Sequence, residues 1–379
     1  MNDLGLYIHI PFCLQKCPYC SFYSLAGRMD LAERYVQAII SQLCCYAKEY
    51  REQLRPLTSI FFGGGTPTLL PSEILSRLLG ECLNCFPIAD GVEISIEVNP
   101  ATVGEKSLDV LYQAGYNRLS IGVQSLQESE LQQLGRPHTV ADAVETVLLA
   151  RRAGFDNINI DLMFGLPSQN LQTWKDTLAH ALDLQTTHLS IYELTIETGT
   201  PFARMEEQGF LFLPNEETAL LMLDQTQQAL CQAGLQRYEI SNYAQPGYQC
   251  RHNINYWQNG EYLGLGAGAV TFFHKTRFTA IAHAEQFCTL LEDNQEVWQE
   301  KEKLDQEASF RETVIMGLRM TAGVSLAELS ERFSIDAESY YSETLQRLIR
   351  QGMLDIVQGR LQLTDQGLLL ANTVMAELV

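Results

Sequence analysis

The chain has 379 residues, 46% of them apolar and 19% charged, enough for one large domain and a smaller one and too apolar for global disorder. A formal charge of −20 argues against a nucleic-acid partner or an anionic membrane surface, both of which need a positive face. Nothing approaches the ~18 consecutive apolar residues of a membrane span, and the opening MNDLGLYIHIPFC lacks a basic export signal, so the ten cysteines are expected as reduced thiols or metal ligands in a cytoplasmic protein.

In chain order, strands are predicted over 4–10, 57–63, 92–98, 117–123, 157–165 and 187–194. Amphipathic stretches at 31–50, 71–86 and 140–154 lie between them, the last ending on Gly154 as a C′ residue. This α/β alternation implies parallel βαβ units, and six of them suit an open, partial (β/α)6 TIM-like barrel better than a closed one of eight. Chemistry in such sheets gathers where strands end. Cys13 follows the first strand, Gly63–Thr66 the second, and Glu97 ends the third; Gln124 follows the fourth, and Asp161 lies late in the fifth. Each alone could be a solvated loop residue; as a set they predict a site.

The barrel is expected over 1–205. Residues 206–300 are less regular, with a helix at 215–233 and a glycine-rich run at 262–270, and the charged stretch 292–307 reads as an exposed connector. A small α+β domain over 301–379, two helices and then a hairpin, has a winged-helix-like order. Its acids outweigh its Lys and Arg, which favours packing or a protein partner over DNA.

The loop HIPFCLQKCPYCSFYS carries Cys13-x3-Cys17-x2-Cys20. Three thiolates can hold three irons of a 4Fe–4S cubane and leave the fourth open to a small molecule with an amine and a carboxylate. The structural alternative is zinc, which prefers four ligands from paired knuckles. The other C-x2-C pair, Cys82 and Cys85, falls on an amphipathic stretch, and with Cys44, Cys45 and Cys231 it reads as core or surface thiols.

YIHIPFCLQKCPYCSF resembles the opening of the radical S-adenosylmethionine (radical SAM) superfamily, in the branch of oxygen-independent coproporphyrinogen III oxidases, and the resemblance covers nearly the whole chain. It implies a radical SAM barrel whose cluster binds SAM at its open iron and can reduce it to methionine and a 5′-deoxyadenosyl radical. FFGGGTPTLL resembles the family's glycine motif, which implies SAM contacts from Gly64, Gly65 and Thr66. SIEVNP, GVQS, LGRPHT and NIDLMFGLP imply further SAM contacts from Glu97, Gln124, Arg136 and Asp161. Tyr7 and Tyr19 match cluster-side aromatics, although Tyr7 could equally be a strand residue facing the core.

QCRHNINYW is the second informative stretch. A neutral imidazole can ligate haem iron, and Tyr256 and Trp257 offer faces for a flat macrocycle. Arg251 could pair with a propionate, and no C-x2-C-H directs covalent attachment. The competing reading makes His252 a buried, hydrogen-bonded core residue. H-N-x-x-Y-W resembles a sub-branch, the HemW-type haem chaperones, which are thought to bind haem and deliver it to acceptor haemoproteins such as respiratory ones. That sub-branch carries C-x3-C-x2-C-x-F, matched by Phe22, where the oxidases carry a fourth cysteine and a longer segment before the cluster loop. The resemblance thus implies a haem chaperone with a 4Fe–4S cluster on Cys13, Cys17 and Cys20, exchangeable SAM, and haem iron on His252. No residue is assigned to catalysis. The alternatives are a coproporphyrinogen III oxidase and a regulatory iron–sulfur protein. Expected partners are haem, an acceptor haemoprotein that could bring the chain to the membrane periphery, and an unidentified electron donor; an exposed cluster loop could also support a homodimer.

Overall fold

The computed structural model describes residues 4–379; Met1–Asp3, where the export-signal reading begins, lie outside them. The predicted strands form as β1 (Leu4–Ile10), β4 (Leu57–Gly64), β5 (Ile88–Val98), β6 (Arg118–Gln124), β7 (Asn157–Phe164) and β8 (His188–Glu193), with the short pair β2 (Phe12–Cys13) and β3 (Leu25–Ala26) after β1. Between them run α1 (Ala32–Glu49), α2 (Ser72–Cys85), α3 (Glu105–Ala114), α4 (Glu128–Gln133), α5 (Val140–Ala153) and α6 (Leu171–Asp183). Local sequence sets the helix ends. Thr139 and Asp142 form a capping box at the start of α5, and Gly154, at φ 105°, takes the left-handed turn that closes it.

The six long strands pair in parallel in chain order. Side chains alternate along each. Leu6, Ile8, Ile60, Phe62, Ile94, Ile96, Leu119, Ile121, Ile158 and Ile160 point outward and are buried in the main core. Inward positions carry Gly5, Ser59, Gly63, Ser95, Ser120 and Ser190. A closed barrel fills its interior with bulky branched residues. This one mixes those small residues with polar and aromatic ones such as Tyr7, Phe61, Arg118, Asp161 and Tyr192, and cavities open among them.

Residues 206–300 are more regular than their sequence suggests. After α7 (Pro201–Glu207) and α8 (Glu216–Gln232), β9 (Gln236–Arg237) and β10 (Asn242–Ala244) extend the sheet beyond β8 in antiparallel pairing. After α9 (Arg251–Trp257), β11 (Glu261–Leu265) lies parallel to β1, and β12 (Val270–Phe273), β13 (Thr276–Ala280) and, after α10 (Ala284–Glu292), β14 (Trp298–Lys303) continue beyond it. The glycine run hides β11 because its backbone is crowded: a Cβ on Gly264 would lie 2.0 Å from the Val270 carbonyl oxygen. The expected connector at 292–307 contains β14, an exposed edge strand whose charged QEKEK run discourages further pairing.

The C-terminal part comprises α11 (Gln306–Gly317), β15 (Val324–Ser325), α12 (Leu326–Phe333), α13 (Ala337–Arg350) and the hairpin β16 (Leu354–Val357) and β17 (Arg360–Leu363), with β17 central in its small sheet. Phe310, Val314, Leu329, Leu345 and Leu361 form a separate core. It grips the barrel side at the end of α9: Arg332 Nη2 donates to the Asn259 carbonyl at 2.9 Å, and Asn259 Nδ2 to Thr313 Oγ1 at 3.0 Å. Among the described residues no helix is long and apolar enough to cross a membrane.

Candidate functional site

β1 delivers the chain to the carboxyl ends of the parallel strands, where Cys13, Cys17 and Cys20, all partly exposed, line one cavity of about 230 Å³. The loop is tied down by Cys20 N to Cys17 O (3.1 Å), Leu25 N to Pro11 O (2.7 Å) and Phe202 N to Pro18 O (3.0 Å). Burial pushes the Cys13 and Cys20 thiols up. The Thr66 hydroxyl, 3.8 Å from Cys13 Sγ, acts against that, and Arg136 Nη1 stands 3.6 Å from Cys17 Sγ. Among the described residues no three His, Cys, Asp or Glu side chains are placed to hold a metal ion. A tetrahedral zinc site with ~2.3 Å Zn–S bonds would draw its sulfurs to within ~4 Å of one another. Three soft donors spread around a shared hollow fit a multi-iron cluster better, with one iron left for an outside ligand.

The opposite wall is built from backbone. Gly64 has φ +116°, and a Cβ there would fall 2.5 Å from the His9 ring; one on Gly65 would fall 2.7 Å from the Pro11 carbonyl oxygen. A Cβ on Gly63 would lie 3.0 Å from Glu97 Oε1, and beside it the Gly64 amide donates to Glu97 Oε2 at 2.9 Å. Burial pushes the Glu97 carboxyl up to about 7, Asp161 adding to the rise and the Gly64 amide opposing it. Asp161 is likewise raised by burial, despite bonds from Asn159 (2.7 Å) and Ser120 (3.4 Å). Two acids held this way favour a cationic ligand. Gln124 sits at φ +69°, a strained backbone for a non-glycine residue, and accepts from the Tyr192 hydroxyl at 2.9 Å. Arg136 reaches the Gly122 carbonyl at 2.9 Å and the Asn99 side chain. Tyr7, Tyr19, Gly64, Gly65, Thr66, Glu97, Gln124, Arg136 and Asp161 thus share one cavity with the thiols.

A second cavity of about 640 Å³ continues from Glu97 and Asp161 to α9, and Tyr7, Tyr19, Cys20 and Phe22 border both. His252, Tyr256 and Trp257 line it. His252 is 1% exposed, its Nδ1 2.8 Å from Ser59 Oγ and its Nε2 3.0 Å from the Tyr256 hydroxyl. Burial, helped by the Arg118 charge, pushes its pKa down to about 3, so the imidazole is neutral. Its ring lies 5.2 Å from Phe61 and 6.3 Å from Tyr7, centroid to centroid. Both nitrogens are engaged, the geometry of a hydrogen-bonded core histidine, and Nε2 meets an iron only if the Tyr256 hydroxyl leaves. Arg251 lies outside this cavity, exposed, and donates Nη1 to the Gly91 carbonyl at 2.8 Å.

Several residues escaped the sequence reading. Glu93 on β5 receives the Arg251 and His252 amides at 2.9 and 3.2 Å, fixing the start of α9. Asn99 donates to Thr66 Oγ1 at 2.6 Å and joins it to Arg136. A period-2 signal was available: Glu93, Ser95 and Glu97 share a face, as do Arg118, Ser120, Gly122 and Gln124.

This hollow parallel barrel, with three thiols at its carboxyl end, defines a radical SAM protein. Residues 7–181 match the radical SAM superfamily model and 304–370 the HemN C-terminal domain. The chain is 34% identical to heme chaperone HemW of Bacillus subtilis, over 97% of each chain, and 35% identical to that of Synechocystis sp., over 98% of this chain and 95% of the relative. It belongs to the HemW family. Among solved structures it superposes on coproporphyrinogen III oxidase (HemN) from Escherichia coli with a TM-score of 0.86 and 25% identity, covering 100% of this chain and 90% of that one. Superfamily membership implies SAM and a 4Fe–4S cluster.

Proposed function

We propose that the chain is a haem chaperone that carries a SAM-binding 4Fe–4S cluster and passes haem to an acceptor haemoprotein, with HemW relatives as the carrying observation. Cys13, Cys17 and Cys20 would hold the cluster. When bound, the cluster supplies an open iron and an electron for SAM. Around that site Glu97 and Asp161 offer negative charge to SAM's cationic groups, Arg136 a guanidinium to its carboxylate, and Gly64–Thr66 the close backbone approach. Tyr7 and Tyr19 wall the cluster side.

Haem is cargo, taken into the larger cavity against Tyr256 and Trp257. His252 Nε2 is its proposed iron ligand: the imidazole is held neutral and its Nδ1 partner Ser59 fixes the ring, as the outer hydrogen bond of a metal-bound histidine does. The Tyr256 hydroxyl must give way first.

A second reading, coproporphyrinogen III oxidation, is favoured by the full-length superposition on HemN. Phe22, 68% exposed where the oxidases carry a fourth cysteine, weighs against it. Anaerobic reconstitution with iron and sulfide, followed by parallel assays with SAM plus coproporphyrinogen III and with haem, separates the two. A chaperone gives a haem Soret band and no protoporphyrinogen; protoporphyrinogen formation overturns the chaperone-only reading. A Soret band unchanged by His252→Ala removes that residue from the iron.

A further inference from the structure

The larger cavity contains two guanidinium groups whose hydrogen-bonding capacity the protein leaves unused. Arg118, the first residue of β6, is 2% exposed, lines the cavity, and has a buried, unpartnered Nε. The carboxylates that share its field are turned to other donors: Glu93 to the amides of α9, and Asp161 to Asn159 and Ser120. Arg319, just beyond α11, also has a buried, unpartnered Nε. Its guanidinium carbon lies 4.4 Å from the centroid of the Trp257 ring, and Glu239 beside it accepts from the Ser241 amide at 2.9 Å through Oε1 while its Oε2 is left without a hydrogen bond. Among the described residues neither guanidinium donates a hydrogen bond to a protein acceptor.

Both charges have carboxylates in their field, Glu93 and Asp161 for Arg118 and Glu239 for Arg319, but no hydrogen bond to them. A buried N–H without an acceptor is costly, so these open donors are candidates for an outside anion. The guanidinium fork matches a carboxylate in two parallel bonds. Neighbouring arginines do not compete. Arg251 is taken up by Gly91, and Arg332 and Arg360, which line an adjoining cleft of about 570 Å³, donate to the carbonyls of Asn259, Ala322 and Gly323 at 2.9, 2.7 and 2.8 Å.

We propose that Arg118 and Arg319 bind the carboxylates of a tetrapyrrole held in the 640 Å³ cavity, its ring against Trp257 and Tyr256. That volume falls within the ~300–1,000 Å³ of sites for cofactor-sized ligands. The acids of the cavity wall do not all oppose this, since Glu97 and Asp161 belong to the cluster end, where a cation is expected. The inference rests on the haem reading above but is independent of which residue holds the iron.

The test is haem titration of the full-length protein by Soret absorbance, with haem and with its dimethyl ester, which keeps ring and iron and lacks the two carboxylates. The ester should bind the wild type about tenfold or more weaker. Arg319→Gln should weaken haem by about tenfold while leaving the ester unchanged, with Arg319→Lys in between; Arg118→Gln, checked for folding by circular dichroism, should behave alike. Equal affinity of the wild type for haem and ester overturns this proposal and leaves the chaperone reading standing, and it needs no variant. A wild type that binds no haem overturns both. Arginine variants that lose SAM affinity while keeping that for haem assign the two groups to SAM's carboxylate instead, and also overturn it.

Discussion

The two ends of the barrel interior are furnished in opposite ways. At the carboxyl end, three thiols face a cavity, burial raises the Glu97 carboxyl to about 7, and Gln124 sits on a strained backbone. At the α9 end, His252 has both nitrogens engaged and Glu93 accepts two amides of the helix, while Nε of Arg118 and Arg319, Nε1 of Trp257, Oε2 of Glu239 and Oδ1 of Asn242 are left unpartnered. The first end is a socket whose donors wait for a cofactor. The second has its histidine and helix start already hydrogen-bonded, so on the proposed reading haem would meet the open donors of Arg118, Arg319 and Trp257 before His252.

That contrast can be broken most severely at the socket. Cys17→Ala should abolish cluster assembly, read as loss of bound iron and of the visible charge-transfer absorption after reconstitution, and SAM cleavage should vanish with it; a cluster of unchanged iron content would remove Cys17 from the ligand set. At the other end Glu93→Ala leaves two α9 amides without their carboxylate and should cost about 2–3 kcal/mol in denaturant unfolding, because charge-assisted bonds in a buried position are lost. An unchanged midpoint would show that α9 is held from elsewhere.

Smaller effects sharpen the comparison through pH. Glu97, raised to about 7, is ionised only above that value, so affinity for the cationic SAM should rise with pH up to about 7, by up to about tenfold per unit, and then level off. Glu97→Gln should flatten the profile; a wild-type profile already flat would contradict the raised carboxyl. His252 works on stability. Unfolded, it takes a proton near 6.5; folded, only near 3. Its neutral form therefore supports the fold fully above pH 6.5, and that support drains as pH falls toward 3, with His138, pushed down to about 4, draining in parallel. His252→Gln should make the acid decline of unfolding free energy shallower, whatever its effect at neutral pH.

The parallel strands were readable because their periodicity is local: 4–10 and 57–63 became Leu4–Ile10 and Leu57–Gly64. β5 starts at Ile88, before its apolar run, since Asp90 and Gly91 break the pattern. β11 was unreadable because Gly264 is there to admit the Val270 backbone, a requirement only the folded sheet reveals. In the site, Cys13, Cys17 and Cys20 announced themselves by spacing along eight residues. Arg319 and Trp257 are 62 positions apart, and nothing in either neighbourhood shows that one stacks on the other. Arg251 illustrates the converse: its place beside His252 in sequence suggested a shared ligand, but adjacent residues on a helix point in different directions.

The grip of Arg332 and Thr313 on Asn259, just past the end of α9, has a mechanical consequence. Trp257, the last residue of α9, lies two positions earlier and borders both the large cavity and the adjoining cleft. A protein that docks on the C-terminal domain and tilts it would pull on the same two hydrogen bonds. Any tilt of that domain would be transmitted to the segment that carries Trp257, whose fluorescence would report it.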